Sequence, residues 1–285
     1  MKTPKGSSLK VELAVRLFLI IFFFYTDKYP GFVRIIQKEE YWLYNFPRTA
    51  DYYPSSYLWS TLIGGPILTV WIVYLFTKDK VDVIQSILAA YLSIFLAGSL
   101  VNCIKIGVGR PRPDFLARCF PDGNIDDSMK CTGKPEDVIE GYKSFPSGHS
   151  ALCFSCLGYI ALYLAGKLHI FNPAGRGSAW RVICVIFPLL WATMIAVSRT
   201  ADYHHHWQDV TVGSILGLVV SYIVYYMYYP PLHRVNSHLP YVSLTPVNTK
   251  VTTRDYPISP NEDLHLQSPS TTHSNTSLEQ AMKLV

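Results

Sequence analysis

Apolar residues are concentrated in six runs along the first 230 positions of the chain, and short polar segments separate these runs. A helix rises about 1.5 Å per residue, so roughly 20 residues are needed to cross a bilayer. The runs cover residues 11–25, 57–76, 83–104, 150–165, 182–197 and 210–229. This pattern predicts an all-α protein in which six helices span a membrane as a bundle.

The first run differs from the others because it carries two charges, Glu12 and Arg16. These residues are four positions apart, so they can pair on one face of a helix. A run of this kind could also be a signal peptide or a signal anchor. No small-residue cleavage site follows Tyr25, and we therefore expect the run to be retained as a membrane span.

Beyond Pro230 the composition shifts to Ser, Thr, Pro and Asn, with few large apolar side chains. Such a segment buries too little apolar surface to fold, which is typical of disorder. Pro230 and Pro231 also end the sixth helix, because proline cannot continue it. The sequence therefore predicts a membrane domain over residues 1–232 and a disordered C-terminal tail over residues 233–285.

Charged residues make up 16% of the chain, whereas a soluble domain usually carries about 25%. The formal net charge of +5 would by itself suit a nucleic-acid partner. The basic residues, however, are scattered through short loops and form no basic stripe or nucleic-acid-binding motif. We therefore expect a multi-pass membrane protein that does not bind nucleic acid.

Two of the six cysteines, Cys119 and Cys131, lie in the same polar loop. A disulfide between them depends on whether that loop faces an oxidising lumen, and the spacing alone fixes no geometry. The close CxxC pairs and adjoining histidines of common zinc sites are missing from this loop. The other four cysteines lie in or beside apolar runs, where we expect small core residues.

Six spans place successive loops on alternating sides of the membrane. The segments 105–149 and 198–209 then share one side, where their charged residues can meet. Lysines of the other set of loops, such as Lys2, Lys78 and Lys167, favour the cytosol for that set. We therefore expect the N-terminus in the cytosol and the charged segments on the opposite face.

The segment 198–209 contains His205 and Asp209, four residues apart. On a helix these side chains would share one face, and the carboxylate would accept the Nδ1 hydrogen of the imidazole. Nε2 would then keep its lone pair and could act as a nucleophile. The structural alternative is a polar start of a helix with histidines at the membrane interface. Zinc is disfavoured, because the consecutive histidines 204–206 would point in different directions.

The segment 146–149 precedes the fourth run and contains Ser147, Gly148 and His149. Ser147 can cap that helix, and the free N–H groups of a helix N-terminus attract anions. Gly148 permits close approach of a ligand. A turn and a cap would also explain the segment without any chemistry. In the functional interpretation, His149 protonates an alkoxide leaving group and afterwards activates water.

The third run ends with Lys105, and Arg112 follows it. Lys105 could merely extend its side chain to the interface, and Arg112 could bind lipid headgroups. Pro111 and Pro113 stop the helix and hold Arg112 in extended backbone. Arg110 competes with Arg112 for the same role, although the spacing favours Arg112.

Three cations, Lys105, Arg112 and Arg199, balance the charge of Asp209 and a phosphate monoester dianion. Guanidinium groups match the geometry of phosphate oxygens and stabilise charge in a transition state. Because the count closes without magnesium, we expect neither a metal nor another cofactor.

Together the three segments resemble the motifs K-x6-RP, PSGH and SR-x5-H-x3-D of the type-2 phosphatidate phosphatase (PAP2) superfamily. The matches lie at residues 105–113, 146–149 and 198–209, and the resemblance extends over about residues 9–232. The stretches RPRPDFLARCFPDG and KSFPSGHS are similar to phospholipid phosphatases of the phosphatidate-phosphatase-domain-containing-1 group.

This resemblance implies a six-span bundle of the vanadium-haloperoxidase-like type, with a metal-independent active site on the lumenal or extracellular side. It implies that His205 is the nucleophile, that Asp209 orients it and that His149 is first an acid and then a base. The residues implied to bind phosphate are Lys105, Arg112, Ser147, Gly148 and Arg199.

The expected function is a lipid phosphate phosphatase of the endoplasmic reticulum, Golgi or plasma membrane. Its expected substrates are phosphatidate, lysophosphatidate or diacylglycerol pyrophosphate within the bilayer, hydrolysed through a phosphohistidine. An isoprenoid diphosphate or a sphingoid-base phosphate is an alternative substrate for the same fold. A non-catalytic membrane protein that binds anionic lipid through the same basic residues is the alternative of a different class.

Overall fold

The computed structural model describes residues 9–125 and 129–244. Regular secondary structure within these residues is entirely helical, with two short 3₁₀ turns at Lys38–Glu40 and Pro173–Gly175. The α-helices are α1 Leu9–Lys28, α2 Tyr41–Tyr44, α3 Ser55–Thr77, α4 Lys80–Val108, α5 Phe115–Cys119, α6 Pro135–Gly141, α7 Gly148–Lys167, α8 Ala179–Ala201, α9 Trp207–Tyr228 and α10 Tyr241–Leu244. The predicted all-α class is therefore confirmed for the described residues.

Five of the predicted membrane runs lie in helices that are long and apolar enough to cross a bilayer, namely α3, α4, α7, α8 and α9. The protein is therefore an integral membrane protein. The first run lies in α1, which has 20 residues but carries more charge. Arg16 of α1 is buried and binds Glu12 at 2.9 Å and the hydroxyl of Tyr228 at 2.5 Å. The predicted pair of Glu12 and Arg16 thus forms, and it faces the bundle.

The central helix of the bundle is α7, in which fifteen of 20 residues are buried. It packs against α3, α4, α8 and α9. A Cβ atom at Gly213 of α9 would lie 2.5 Å from the carbonyl oxygen of Ser147, and one at Gly217 would lie 2.3 Å from that of Ala151. Small residues allow this close backbone approach between membrane helices. The approach brings the N-terminal ends of α7 and α9 together, where two of the charged segments lie.

A small lobe connects α4 to α7 and contains α5 and α6. Cys119 and Cys131 form a disulfide within this lobe. Its apolar core consists of Phe115, Leu116, Cys119 and Phe120, together with Ile36 and Tyr44 from the segment between α1 and α3. Arg112 lies near the start of the lobe, and Glu140 lies in α6 of the lobe. The packing of the lobe therefore sets where these two side chains lie.

The remaining four cysteines do not all lie in the core. Cys153 and Cys156 are buried as predicted, but Cys103 is exposed and Cys184 is only partly buried. The prediction of four core cysteines is therefore wrong for Cys103 and Cys184. Both lie on membrane-spanning helices, where a small apolar side chain can face hydrocarbon without a protein partner.

The C-terminal end of α7 contacts the residues that follow α9. Ser237 is buried, and Lys167 Nζ donates to the carbonyl oxygen of His238 at 2.5 Å. Lys167 also pairs with Asp82 of α4 at 2.6 Å. The tail predicted to be disordered from residue 233 is thus placed against the bundle as far as Leu244. Residues 245–285, which form the rest of that predicted tail, lie outside the described residues.

Candidate active site

A cavity of about 480 Å³ lies where the ends of α4, α7 and α8 meet the segment before α9. Two of the predicted site residues, Ser147 and Asp209, are fully buried rather than part of the cavity wall. The other six line the cavity: Lys105, Arg112, Gly148, His149, Arg199 and His205. Three segments that are far apart in the sequence are therefore brought to one site.

Lys105 lies in the last turn of α4, which ends because Gly109 adopts the left-handed conformation with φ 57°. Glycine is the usual residue at this position, since it has no Cβ to clash. A Cβ atom at Gly148 would lie 3.4 Å from Lys105 Nζ, so the ammonium group lies against the first residue of α7. Within the part of the chain that the structure describes, the ammonium group of Lys105 forms no hydrogen bond or ion pair. Its charge is available to an anion in the cavity.

The two neighbouring arginines have different partners. Arg112 lines the cavity, and its backbone N–H donates to the carbonyl oxygen of Gly141 at 2.8 Å. Arg110 does not line the cavity, and its Nη1 lies 2.5 Å from Oδ1 of Asp209. Of the two, Arg112 is the arginine that a ligand in the cavity could meet.

Ser147 is the N-cap of α7, as predicted, and its Oγ accepts from the N–H of Ser150 at 3.4 Å. The N–H of Ser147 donates to the carbonyl oxygen of Asp209 at 2.9 Å, which joins the second segment to the third. His149 follows in the first turn of α7. Its Nε2 is buried and has no hydrogen-bond partner among the described residues. A buried polar nitrogen in a cavity wall normally has a partner, so His149 is available to a ligand.

His205 precedes α9 and is not part of it. The helix begins at Trp207, and His206 is its N-cap. The prediction that His205 and Asp209 share a helix face is therefore wrong, because His205 lies outside the helical spiral. Asp209 occupies the third position of α9 and accepts the backbone N–H of His206 at 3.0 Å, which is one half of a capping box.

Ser144 lies between His205 and Asp209. The distance from His205 Nδ1 to Asp209 Oδ2 is 3.9 Å, which is too long for a direct hydrogen bond. Ser144 donates its hydroxyl hydrogen to Asp209 at 2.5 Å, and its oxygen lies 3.5 Å from His205 Nδ1. Because the hydroxyl hydrogen of Ser144 is used for Asp209, its oxygen can only accept from the imidazole, and this assigns the ring hydrogen to Nδ1 and leaves the lone pair on Nε2.

The imidazole of His205 is neutral in this site. Burial lowers the pKa of His205 to about 3, and the charges of Arg112 and Lys105 act in the same direction. The nearby carboxylate of Asp209 raises the pKa and opposes this effect without cancelling it. Since an ordinary histidine has a pKa near 6.5, His205 stays unprotonated at pH values where other histidines are charged.

Carboxylates are already paired with two of the three predicted phosphate-binding cations. Arg112 pairs with Glu140 of α6, whose side chain also lines the cavity. Arg199 is buried and lies 3.2 Å from Asp51 and 2.5 Å from Asp202. An anion that enters the cavity must therefore compete with these carboxylates for the two guanidinium groups.

The predicted charge count is consequently incomplete. It balanced three cavity cations against Asp209 and a phosphate dianion, but the charge of Asp209 is balanced by Arg110. Glu140 adds a negative charge that the count omitted. Burial by itself would raise the pKa of Glu140, but Arg112 and Lys105 more than offset this and lower it, so Glu140 is ionised at neutral pH.

Asp51, Asp202 and His204 form one cluster that could hold a metal ion, since their ligand atoms lie within 4.8 Å of one another. Arg199, however, binds both carboxylates. A cation bound there would have to displace a buried guanidinium group or tolerate its charge. The donor set fits the arginine better than it fits a metal.

Sequence reasoning missed Ser144, Glu140 and Asp51 as residues of the site. Ser144 lies three residues before Ser147, so its closeness to a motif was a usable signal. Glu140 and Asp51 lie outside all three motifs, in segments without hydrophobic periodicity. Only the folded lobe and the segment before α3 bring them to the cavity.

The PAP2 superfamily pattern matches residues 86–231, about half of the chain. Lipid phosphate phosphatase 2 of Arabidopsis thaliana is 43% identical over 171 residues, which are 58% of this chain and 58% of that protein. Probable diacylglycerol pyrophosphate phosphatase 1 of Schizosaccharomyces pombe is 35% identical over 196 residues, which are 66% of this chain and 70% of that protein. Diacylglycerol pyrophosphate phosphatase 1 of Saccharomyces cerevisiae is 38% identical over 178 residues, which are 59% of this chain and 61% of that protein.

No solved structure matches the chain. The matched region spans less than two thirds of the Arabidopsis and Saccharomyces relatives. Residues 86–231, which match the superfamily pattern, contain the three motifs and the helices α7, α8 and α9 in full. The chain belongs to the PAP2 superfamily.

Proposed function

We propose that the protein is a lipid phosphate phosphatase that acts on phosphatidate, lysophosphatidate or diacylglycerol pyrophosphate. The observation that carries the proposal is one cavity in which two predicted catalytic imidazoles and three predicted phosphate-binding cations meet beside apolar side chains of membrane helices. Such a cavity suits a ligand with a phosphate at one end and hydrocarbon at the other. The names of the relatives, lipid phosphate phosphatase and diacylglycerol pyrophosphate phosphatase, support the same class of substrate.

In the first step, Nε2 of His205 attacks the phosphorus atom and the ester oxygen departs. Lys105, Arg112 and Arg199 hold the phosphate oxygens and stabilise the charge of the transition state. His149 donates a proton to the departing oxygen, because an alkoxide is too basic to leave unprotonated. The products of this step are a phosphohistidine and the dephosphorylated lipid.

In the second step, His149 removes a proton from water, and the hydroxide attacks the phosphohistidine. The bond between phosphorus and His205 Nε2 breaks, which releases inorganic phosphate and restores the neutral imidazole. Asp209 acts throughout as a positioning residue, since it holds the imidazole through Ser144 and stabilises the cation formed on attack. In this mechanism the ammonium group of Lys105, and guanidinium groups that exchange a carboxylate for phosphate oxygens, take the role that a metal would otherwise have.

In the bilayer, α1 acts as a sixth span with its N-terminus in the cytosol. This arrangement puts the cavity on the lumenal or extracellular side. The burial of Arg16 against α4 and α9 supports it, because the charge of α1 then faces protein rather than lipid. The disulfide of the lobe also supports it, since disulfides persist in oxidising compartments.

The test is phosphate release from a panel of lipid phosphates in EDTA, with wild type and His205→Ala. We expect metal-free turnover of at least one glycerolipid phosphate by wild type and none by His205→Ala. Trapping of a phosphohistidine in wild type should be lost in the same variant. A strict requirement for Mg²⁺, or full activity of His205→Ala, would refute the mechanism. Turnover of isoprenoid diphosphates alone would refute the glycerolipid substrate class.

A further inference from the structure

We propose that the hydrocarbon tail of the substrate binds against an aromatic wall of the cavity formed by Phe23 and Phe24 of α1 and Trp59 of α3. This inference rests on the proposed function, because its ligand is the tail of the same lipid whose phosphate meets the cations. It adds the place where the tail lies and the gap between helices through which the lipid enters.

The cavity has two chemically different sides. One side carries the cations and the histidines described above. The other side is lined by apolar residues from four helices, namely Phe23, Phe24, Leu58, Trp59, Val101 and Leu152. A phosphate cannot use this apolar side, whereas hydrocarbon gains free energy in proportion to the apolar surface that it removes from water.

The rings of the aromatic wall join α1 to α3. Phe24 stacks on Trp59 with ring centroids 5.8 Å apart, and Phe23 meets Trp59 edge-on at 5.9 Å. Phe23 is 5% exposed, whereas Phe24 is 49% exposed. The wall is therefore one or two side chains thick, with the cavity on one side and the outer surface of α1 on the other. Rotation of the exposed ring of Phe24 would open a path without movement of a helix, since exposed side chains change rotamer within nanoseconds.

The opposite rim of the cavity suits a tail poorly. It carries Arg48, Asp51 and Glu140, whose side chains are 48%, 37% and 45% exposed. A tail that crossed this rim would strip water from charged groups, which is costly. The charged rim fits the exchange of water and inorganic phosphate. The aromatic wall is the side that fits a tail still surrounded by the bilayer.

The test compares a long-chain phosphatidate in mixed micelles with the tailless ester glycerol 3-phosphate. The variants are Trp59→Ala and, as a control, Trp71→Ala, which removes an exposed tryptophan of the same helix that does not line the cavity. We expect Trp59→Ala to lower the ratio of kcat/KM for phosphatidate to that for glycerol 3-phosphate about tenfold, mainly through KM for the lipid. Trp71→Ala should keep the wild-type ratio.

An unchanged ratio in Trp59→Ala would overturn the proposal, whether the two activities stay the same or fall together. A second measurement does not depend on a substitution at the wall. A phosphatidate with a photoreactive diazirine near the middle of one tail is bound to His205→Ala, which should bind but not hydrolyse it. We expect cross-links at α1 residues near Phe24 or at Trp59, and cross-links confined to the charged rim would overturn the proposal. Failure of wild type to hydrolyse any lipid would instead refute the proposed function, and the cross-links would still decide whether a tail binds at this wall.

Discussion

Arg110 pairs with Asp209 at 2.5 Å, whereas Arg112, two residues later, lines the cavity. The first arginine therefore neutralises the buried carboxylate behind the proposed nucleophile. The second is the one that a bound phosphate can reach. Two arginines of one motif thus have different partners, Asp209 for Arg110 and the cavity for Arg112.

Alanine substitutions should separate the two arginines. Arg112→Ala should weaken inhibition by inorganic phosphate or vanadate roughly 10- to 100-fold, as expected for the loss of a charge-assisted hydrogen bond. Arg110→Ala should mainly lower kcat, because it disturbs Asp209 and leaves the cavity cations in place. Inhibition constants and kcat measured on the same preparations test this. A greater loss of vanadate affinity in Arg110→Ala than in Arg112→Ala would contradict the assignment.

Ser144 should matter although it lies outside the PSGH motif at residues 146–149. Ser144→Ala removes the hydroxyl between His205 and Asp209 and should lower kcat about tenfold, the effect of about 1.4 kcal/mol of lost transition-state stabilisation. Ser155→Ala is the matched control, since Ser155 is equally buried and its hydroxyl donates only to the carbonyl oxygen of Leu152 in its own helix. Wild-type kcat in Ser144→Ala would show that the imidazole does not need the bridge.

The depressed pKa of His205 predicts an unusual pH dependence. With a pKa of about 3, the imidazole stays neutral and reactive toward diethyl pyrocarbonate from pH 7.5 down to pH 5. Modification of His205, followed by mass spectrometry, should change little over this range. The rate for N-acetylhistidine should fall about thirtyfold, because its pKa is near 6.5. A parallel fall at His205 would contradict the neutral, buried imidazole.

The same shift has a consequence for stability. The folded-state pKa of His205 lies below the unfolded value, so the unfolded chain binds the extra proton first as the pH falls. The contribution of His205 to stability is complete above about pH 6.5 and is lost as the pH falls toward 3. The melting temperatures of wild type and His205→Gln should therefore differ most in their pH dependence between about pH 3 and about pH 6.5.

Glu140 should compete with phosphate for Arg112. Glu140→Gln removes a negative charge that competes with phosphate in the cavity. It should tighten inhibition by inorganic phosphate about tenfold, the effect expected when one repulsion between like charges near the surface is removed. Glu136→Gln makes the same change at an exposed position of α6 and should leave the inhibition constant unchanged. Weaker inhibition in Glu140→Gln would mean that the carboxylate positions Arg112 for phosphate instead of occupying its place.

The helices could be predicted from the sequence because a bilayer imposes both length and apolar composition on each span. Five of the six predicted runs lie within helices, the sixth extends one residue past the end of α9, and the motifs lie at helix ends. A shared helix face for His205 and Asp209 requires α9 to begin before Trp207, but His206 is an uncommon N-cap and the capping carboxylate is Asp209 itself. Reasoning from spacing alone therefore gave a direct contact of His205 with Asp209 where the structure has Ser144 between them.

The counter-ions of the site could not be predicted, and the reason is physical. Glu140 and Asp51 reach the cavity through the folding of the lobe and of the segment before α3, which leaves no periodic pattern in the sequence. Charged residues of irregular segments are positioned by tertiary packing, and spacing rules describe only regular elements.

The contact of Lys167 with the carbonyl oxygen of His238 affects where the chain can be shortened. A truncation at residue 232 would remove Ser237 and His238 and expose to water the polar end of α7, including the pair of Lys167 with Asp82. A truncation after Leu244 would leave these contacts intact. Protein engineers who need a compact form for crystals, or a site for a fluorescent fusion, should therefore cut or join the chain beyond Leu244.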